Sequence, residues 1–235
     1  MSARSEVLER DAVADRRAFY LQQAFRALLD AMARPGEVAL LPDADPARED
    51  AAQAGLFAQT LVVADVLLDA AVTFAVAGAR GDALGTDAVA ERVLASRSHA
   101  RARAPQACGY AFLPMGVRGE AATAFTSELH AGTLLDPQLG ATLVVECGTL
   151  LGCDAAGERV GSASRAETAA GWELTGPGVS GTAQICCDRA DALGARCMRG
   201  DEFPCGIDMV LVDAAGHVVA VPRTTALKGG SAWDM

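Results

Sequence analysis

The chain has 235 residues, 51% of them hydrophobic, 21% charged and only 5% aromatic, and its 30 acidic against 20 basic side chains give a formal net charge of -10. A sequence pI near 4.7 argues against a nucleic-acid-binding role, because neutralising phosphates needs an excess of Lys and Arg on some face. The length allows a core large enough to fold without disulfides or metal, and Lys228 is the single lysine among the basic side chains.

The first segment, MSARSEVLERDAVADRR, is charged throughout and has no apolar stretch of the signal-peptide kind. The richest apolar run, 56–68, is interrupted by Gln59, Thr60 and Asp65 and is shorter than the roughly 18 continuous apolar residues of a membrane span. The expectation is a soluble, cytoplasmic protein with no membrane partner. Over 19–34 the apolar residues Leu21, Phe25, Leu28, Leu29 and Met32 recur at helical spacing, which predicts a helix with these five on one face. Pro35-Gly36 ends it, 37–41 reads as a short strand, and 42–50 as a charged loop. A second long helix is expected over 51–68, then a strand at 72–76, a helix at 86–96 and a strand at 108–113. The alternation is that of an α/β protein.

Beyond Pro114, 120–129 reads as a helix and 141–151 as one buried, β-branched strand. Residues 152–169, rich in Gly, Ala and Ser, read as a turn and surface excursion. A strand at 172–175 follows, antiparallel to its predecessor, then a strand at 182–187 and a helix at 190–198. Two strands at 207–212 and 217–221 around Ala214-Ala215-Gly216 make a hairpin. One domain over 1–235 is expected, with a mixed sheet, helices on both sides, and flexible ends at 1–17 and 226–235.

Seven cysteines without a CxxC pair suit buried thiols better than a redox dithiol or zinc knuckle. Vicinal Cys186 and Cys187 would point to opposite faces of a strand. Gly176-Pro177-Gly178-Val179-Ser180-Gly181 matches G-x-G-x-x-G, yet a strand rather than a helix follows it and Pro177 lacks an amide. It therefore reads as a tight turn, with backbone anion binding at Gly176 and Gly178 as the alternative. No G-x-S-x-G elbow accompanies the three histidines. His99 falls in a basic loop over 97–103, His130 at a helix end and His217 at the start of a hairpin strand.

Val221-Pro222-Arg223-Thr224-Thr225 places a guanidinium and two hydroxyls behind a proline at a strand end, a set suited to phosphate or carboxylate and equally to a structural ion pair. Asp208 stands where the apolar run 203–210 calls for an apolar residue. Such a carboxylate needs a partner, for which Arg223 and Arg26 are the candidates.

In this order, FRALLDAMARPGEV (25–38), LLDAAVTF (67–74), ATLVVE (141–146), LTGPGVSG (174–181), FPCGIDMVLV (203–212) and VPRTT (221–225) span about 200 of the residues. Through these segments the chain resembles the PhnH family, the H subunit of the bacterial carbon-phosphorus lyase system for phosphonate use. The loops at 42–55 and 152–170 and the tail after Thr225 match none of its segments.

The resemblance implies a three-layer α/β fold similar to the large domain of pyridoxal-phosphate-dependent transferases, without their cofactor lysine, so that no PLP or other cofactor is expected. It implies a homodimer in a core complex with the G, I and J subunits. There the G, H, I and L proteins support formation of α-D-ribose 1-methylphosphonate 5-triphosphate from MgATP and methylphosphonate. The chain is then a dimeric scaffold or site-shaping subunit of a transferase complex, with Arg223, Thr224 and Thr225 at a shared phosphonate or nucleotide site. The alternative is a catalytic or substrate-binding subunit that contributes Arg26, Arg34, Asp208 and Arg223.

Overall fold

The computed structural model describes residues 3–44, 47–78 and 87–231. Its centre is a seven-stranded mixed sheet whose middle strand is β5 (Thr142–Cys147). Parallel to it run β10 (Asp208–Asp213) on one side and β4 (Tyr110–Leu113), β2 (Thr73–Val76) and β3 (Arg101–Ala102) on the other. β11 (His217–Val221) returns antiparallel to β10, with Met209 opposite Val221, and the short β1 (Ala39–Leu40) closes that edge.

Alternation along the strands sends side chains into two cores. Phe74, Phe112, Val144, Val210 and Val218 meet α1 (Ala3–Ala33), α2 (Arg48–Ala54), α3 (Ala58–Leu67) and α4 (Ala88–Ser98) on one face. Leu113, Leu143, Val145, Met209 and Leu211 point the other way, onto α5 (Glu120–Glu128), α6 (Ala190–Met198) and a second sheet. That sheet is antiparallel, in the order β12 (Ala226–Ser231), β8 (Ala170–Thr175), β9 (Ala183–Cys187), β6 (Thr149–Cys153), β7 (Arg159–Ala163).

The α/β class and the mixed sheet agree with the sequence. The second sheet is a correction: helices α5 and α6 share their side of the mixed sheet with five strands. The expected single strand over 141–151 is two strands that break at Gly148 and pair in different sheets. A Cβ at 148 would sit 2.5 Å from the Met115 side chain and 2.7 Å from that of Arg165, so these two side chains pack directly over the break. Part of the expected surface excursion is β7, and β8 pairs with β9 and β12 rather than with its predecessor.

The expected helix over 51–68 is α2 and α3, parted at Gly55, whose φ of 66° is the left-handed cap of α2. Within the loop at 97–103, Arg101–Ala102 is β3 and His99 is the left-handed C-cap of α4. At the ends, α1 starts at Ala3, and residues 226–231 pair with β8, because that sheet offered an open edge; the rest of the expected flexible ends, 1–2 and 232–235, lies outside the described residues. The apolar face of α1 is divided between core and solvent. Ala24, Ala27, Leu28 and Ala31 pack inward, whereas Phe25 and Leu29 are 53% and 54% exposed. The three alanines let the helix lie close to the sheet beside Leu28, while Phe25 and Leu29 are turned out.

Candidate functional site

The β10–β11 hairpin sets the geometry of the strongest polar cluster. Asp208 opens β10 and Arg223 follows the end of β11, so the hairpin register brings them together. Oδ1 of Asp208 accepts the backbone N–H of Arg223 at 2.7 Å, and Nε and Nη2 of the guanidinium lie 3.1 and 2.6 Å from Oδ2. Nη1 donates to the Pro137 carbonyl at 2.6 Å. The partner of Asp208 is thus Arg223 and not Arg26. The pair is mostly shielded, which makes the bidentate contact strong and leaves little of Arg223 for a ligand.

Two depressions flank this pair. One, of about 340 Å³, lies between α6 and the segment leading into β12 and is lined by Arg196, Asp201, Arg223, Thr224 and Thr225. Thr224 is exposed, while Thr225 is 2% exposed and its hydroxyl has no hydrogen-bond partner. The other, of about 570 Å³, holds His130 and the N-terminal ends of β2, β4 and β5. His130 Nδ1 accepts the Gly132 N–H at 2.8 Å, in the turn that follows α5.

Arg26 and Arg34 lie apart from Asp208 and Arg223, in a groove of about 720 Å³ between α1, β1 and the turn after β6. Arg34 there pairs with Asp30 and Glu37 at 3.3 and 2.9 Å. The turn 176–181 joins β8 to β9 as a hairpin loop, the tight-turn reading. Gly178, with φ 82°, comes so close to α1 that a Cβ would sit 2.5 Å from the Ala33 carbonyl, and one at Gly176 would sit 2.9 Å from that of Thr224. These glycines therefore fasten the loop between α1 and 224–225.

At the opposite, C-terminal edge of the parallel strands lies a buried ionic network that sequence reasoning missed. Glu146 on β5 is 0% exposed; Phe57 N–H and Thr60 Oγ1 donate to Oε1 at 2.6 and 2.7 Å, and Met115 N–H to Oε2 at 2.8 Å. Burial pushes its pKa up, against the pull of those donors and of Arg189. Arg189, also 0% exposed, donates to the Glu146 and Val117 carbonyls at 2.7 and 2.9 Å and to Asp191 at 3.1 Å. Asp188 accepts from Gly148 and Thr149 N–H and pairs with Arg118 at 2.6 Å. The clue that exposed Asp208, a carboxylate inside an apolar run, also marks Glu146.

Asp213 stands between Ser162 and His217, bonded to them at 2.6 and 2.8 Å. A hydrolase triad puts histidine in the middle, so this order activates no nucleophile. Lys228 is exposed on β12, in register with Glu173. Cys108, Cys147, Cys186 and Cys187 are buried thiols, Cys153 and Cys205 half-buried and Cys197 exposed. Cys187 points into the core beside β5. Among the described residues no group of three or more His, Cys, Asp or Glu could hold a metal ion, and no helix is long and apolar enough to cross a membrane.

A family model described as bacterial phosphonate metabolism protein (PhnH) matches residues 14–228. A comparison with curated proteins finds no match.

Proposed function

The chain belongs to the PhnH family of bacterial phosphonate metabolism proteins, and from that membership we propose that it is a subunit of the carbon-phosphorus lyase system, working as a homodimer with the G, I and J subunits. Its role there is to support formation of α-D-ribose 1-methylphosphonate 5-triphosphate from MgATP and methylphosphonate as a scaffold that shapes a site around residues 223–225. We read the fold as related to the large domain of pyridoxal-phosphate-dependent transferases and the protein as one that works in the cytoplasm without that cofactor.

The observation that carries the reading is the family match over nearly the whole chain. The site geometry supports a non-catalytic role: Arg223 and Asp208 hold each other, and His217 is held by Asp213. Apolar side chains turned to solvent support a role in assembly. Phe19, Phe25 and Leu29 project from α1, and Leu134 and Leu135 are 77% and 91% exposed ahead of β5.

Co-expression with the G, I and J subunits tests the reading. The chain is expected to co-purify with them, and the isolated protein to release no adenine from MgATP with methylphosphonate. Adenine release by the isolated chain, or its failure to associate with all three, would overturn the proposal.

A further inference from the structure

The depression between α6 and β12 carries an uncompensated charge. Arg223 is neutralised by Asp208 and Arg199 by Asp201, at 2.6 Å in each case. Arg196 has no carboxylate within ion-pair distance among the described residues. Its Nη2 donates to the carbonyls of Pro222 and Thr225 at 2.7 and 3.0 Å and its Nε to that of Ile207 at 3.5 Å, neutral acceptors that fix the plane of the guanidinium and leave Nη1 as the one nitrogen without a protein acceptor among the described residues. Burial pulls the Arg196 pKa down, and Cys197 beside it is pushed up, so the thiol adds no negative charge. Asp208 and Asp201 act on it only from beyond contact distance, and a shielded cation with no carboxylate in contact is costly unless an anion joins it.

A second, independent feature lies in the same wall. Thr225 is 2% exposed and its Oγ1 has no partner, although buried hydroxyls are almost always bonded. It flanks the carbonyl that orients Arg196, and the exposed Thr224 hydroxyl stands next to it. Nη1 of Arg196, the exposed Thr224 hydroxyl and, closed off from solvent within the wall, the unpartnered Thr225 hydroxyl are the donors that this depression of about 340 Å³ holds for one oxyanion.

We propose that Arg196 and Thr225 form a site for a small oxyanion of the phosphonate or phosphate class, with Arg196 as its cation and Arg223 as a fixed wall. One free positive charge, with Asp201 on the rim, favours a singly charged tetrahedral headgroup over a triphosphate. The pocket then selects the phosphonate end of the chemistry and leaves the nucleotide's polyphosphate to other groups. This rests on the reading that residues 223–225 border a ligand site, but it moves the ligand-holding role to a residue on α6.

Calorimetric titration of the purified full chain with methylphosphonate, inorganic phosphate and ATP tests it. Methylphosphonate or phosphate is expected to bind at one site per chain. Arg196→Gln should weaken that binding at least tenfold and Arg196→Lys less. Thr225→Val removes only an unpartnered hydroxyl, so it should weaken binding several-fold while leaving the thermal midpoint of the ligand-free protein unchanged or higher, an effect that loss of structure cannot mimic.

Unchanged affinity in Thr225→Val and Arg196→Lys together would overturn this assignment and leave the phosphonate role of the protein standing. ATP binding tenfold tighter than phosphate would overturn the charge argument alone. Absence of binding by all three probes, both to the isolated chain and to its complex with the G, I and J subunits, would remove the ligand site at residues 223–225 as well.

Discussion

Asp208 and Arg223 illustrate how a polar pair becomes structural: two shielded charges with a bidentate contact and a backbone bond satisfy each other and need no third party. Asp208→Asn keeps the shape but leaves a guanidinium without its anion. A loss of about 2–3 kcal/mol is expected, of the order of charged hydrogen bonds, read as a lower urea midpoint at unchanged slope. Combining it with Arg223→Met should cost less than the two single changes added together. Glu146 is the more demanding case, because all three of its partners are donors. Glu146→Gln turns an amide N–H toward one of them and should cost about 1–3 kcal/mol. The pH dependence follows from the raised pKa: the folded state holds the proton to higher pH than the unfolded chain. The stabilisation from that proton is therefore complete below the ordinary glutamate range and is lost as pH climbs through the raised value. Urea midpoints against pH should show wild type declining relative to Glu146→Gln in that window; the opposite slope would refute it.

Element boundaries rest on a few local devices that can be tested separately. Asp87 caps α4, its carboxylate accepting the N–H groups of Val89 and Ala90 at 2.9 and 3.0 Å. Asp87→Ala should cost about 1 kcal/mol. Gly55 and Gly178 share the left-handed backbone but differ in surroundings. Nothing lies near a Cβ at 55, whereas the Ala33 carbonyl blocks one at 178. Gly55→Ala should therefore cost only about 1–2 kcal/mol, the price of the left-handed conformation, and Gly178→Ala clearly more, since the β8–β9 loop must also move off α1. Equal losses in denaturant titrations would show that the loop is not held there.

For the whole molecule, the outward turn of Phe25 and Leu29 is the feature that composition and periodicity could not anticipate. Helical spacing identified the helix, but both a buried and an associating face obey the same period. If this stripe is where two copies of the chain meet, Phe25→Asp with Leu29→Asp should convert the dimer to a monomer in sedimentation velocity without lowering the monomer's urea midpoint. A variant that remains dimeric would place the contact elsewhere, at another exposed apolar face such as Leu134 and Leu135.

What the sequence determined by itself is what short-range physics encodes. It set the helix stop at Pro35-Gly36, the α6 segment, the β10–β11 hairpin, the tight turn at 176–181 and the need of Asp208 for a cation. It also carried the ordered segments by which the chain resembles the PhnH family. Tertiary structure decided which strands share a sheet, because pairing is chosen among edges that are distant in sequence: Gly148 divides one apolar run between two sheets, and Ala226–Ser231 takes an edge left open by β8. It also decided which arginines are free. Charge neutralisation depends on which carboxylate lies within about 4 Å, so Arg223, the conspicuous residue in the sequence, is bound to Asp208, while Arg196, unremarkable inside a helical segment, has no carboxylate at that distance among the described residues.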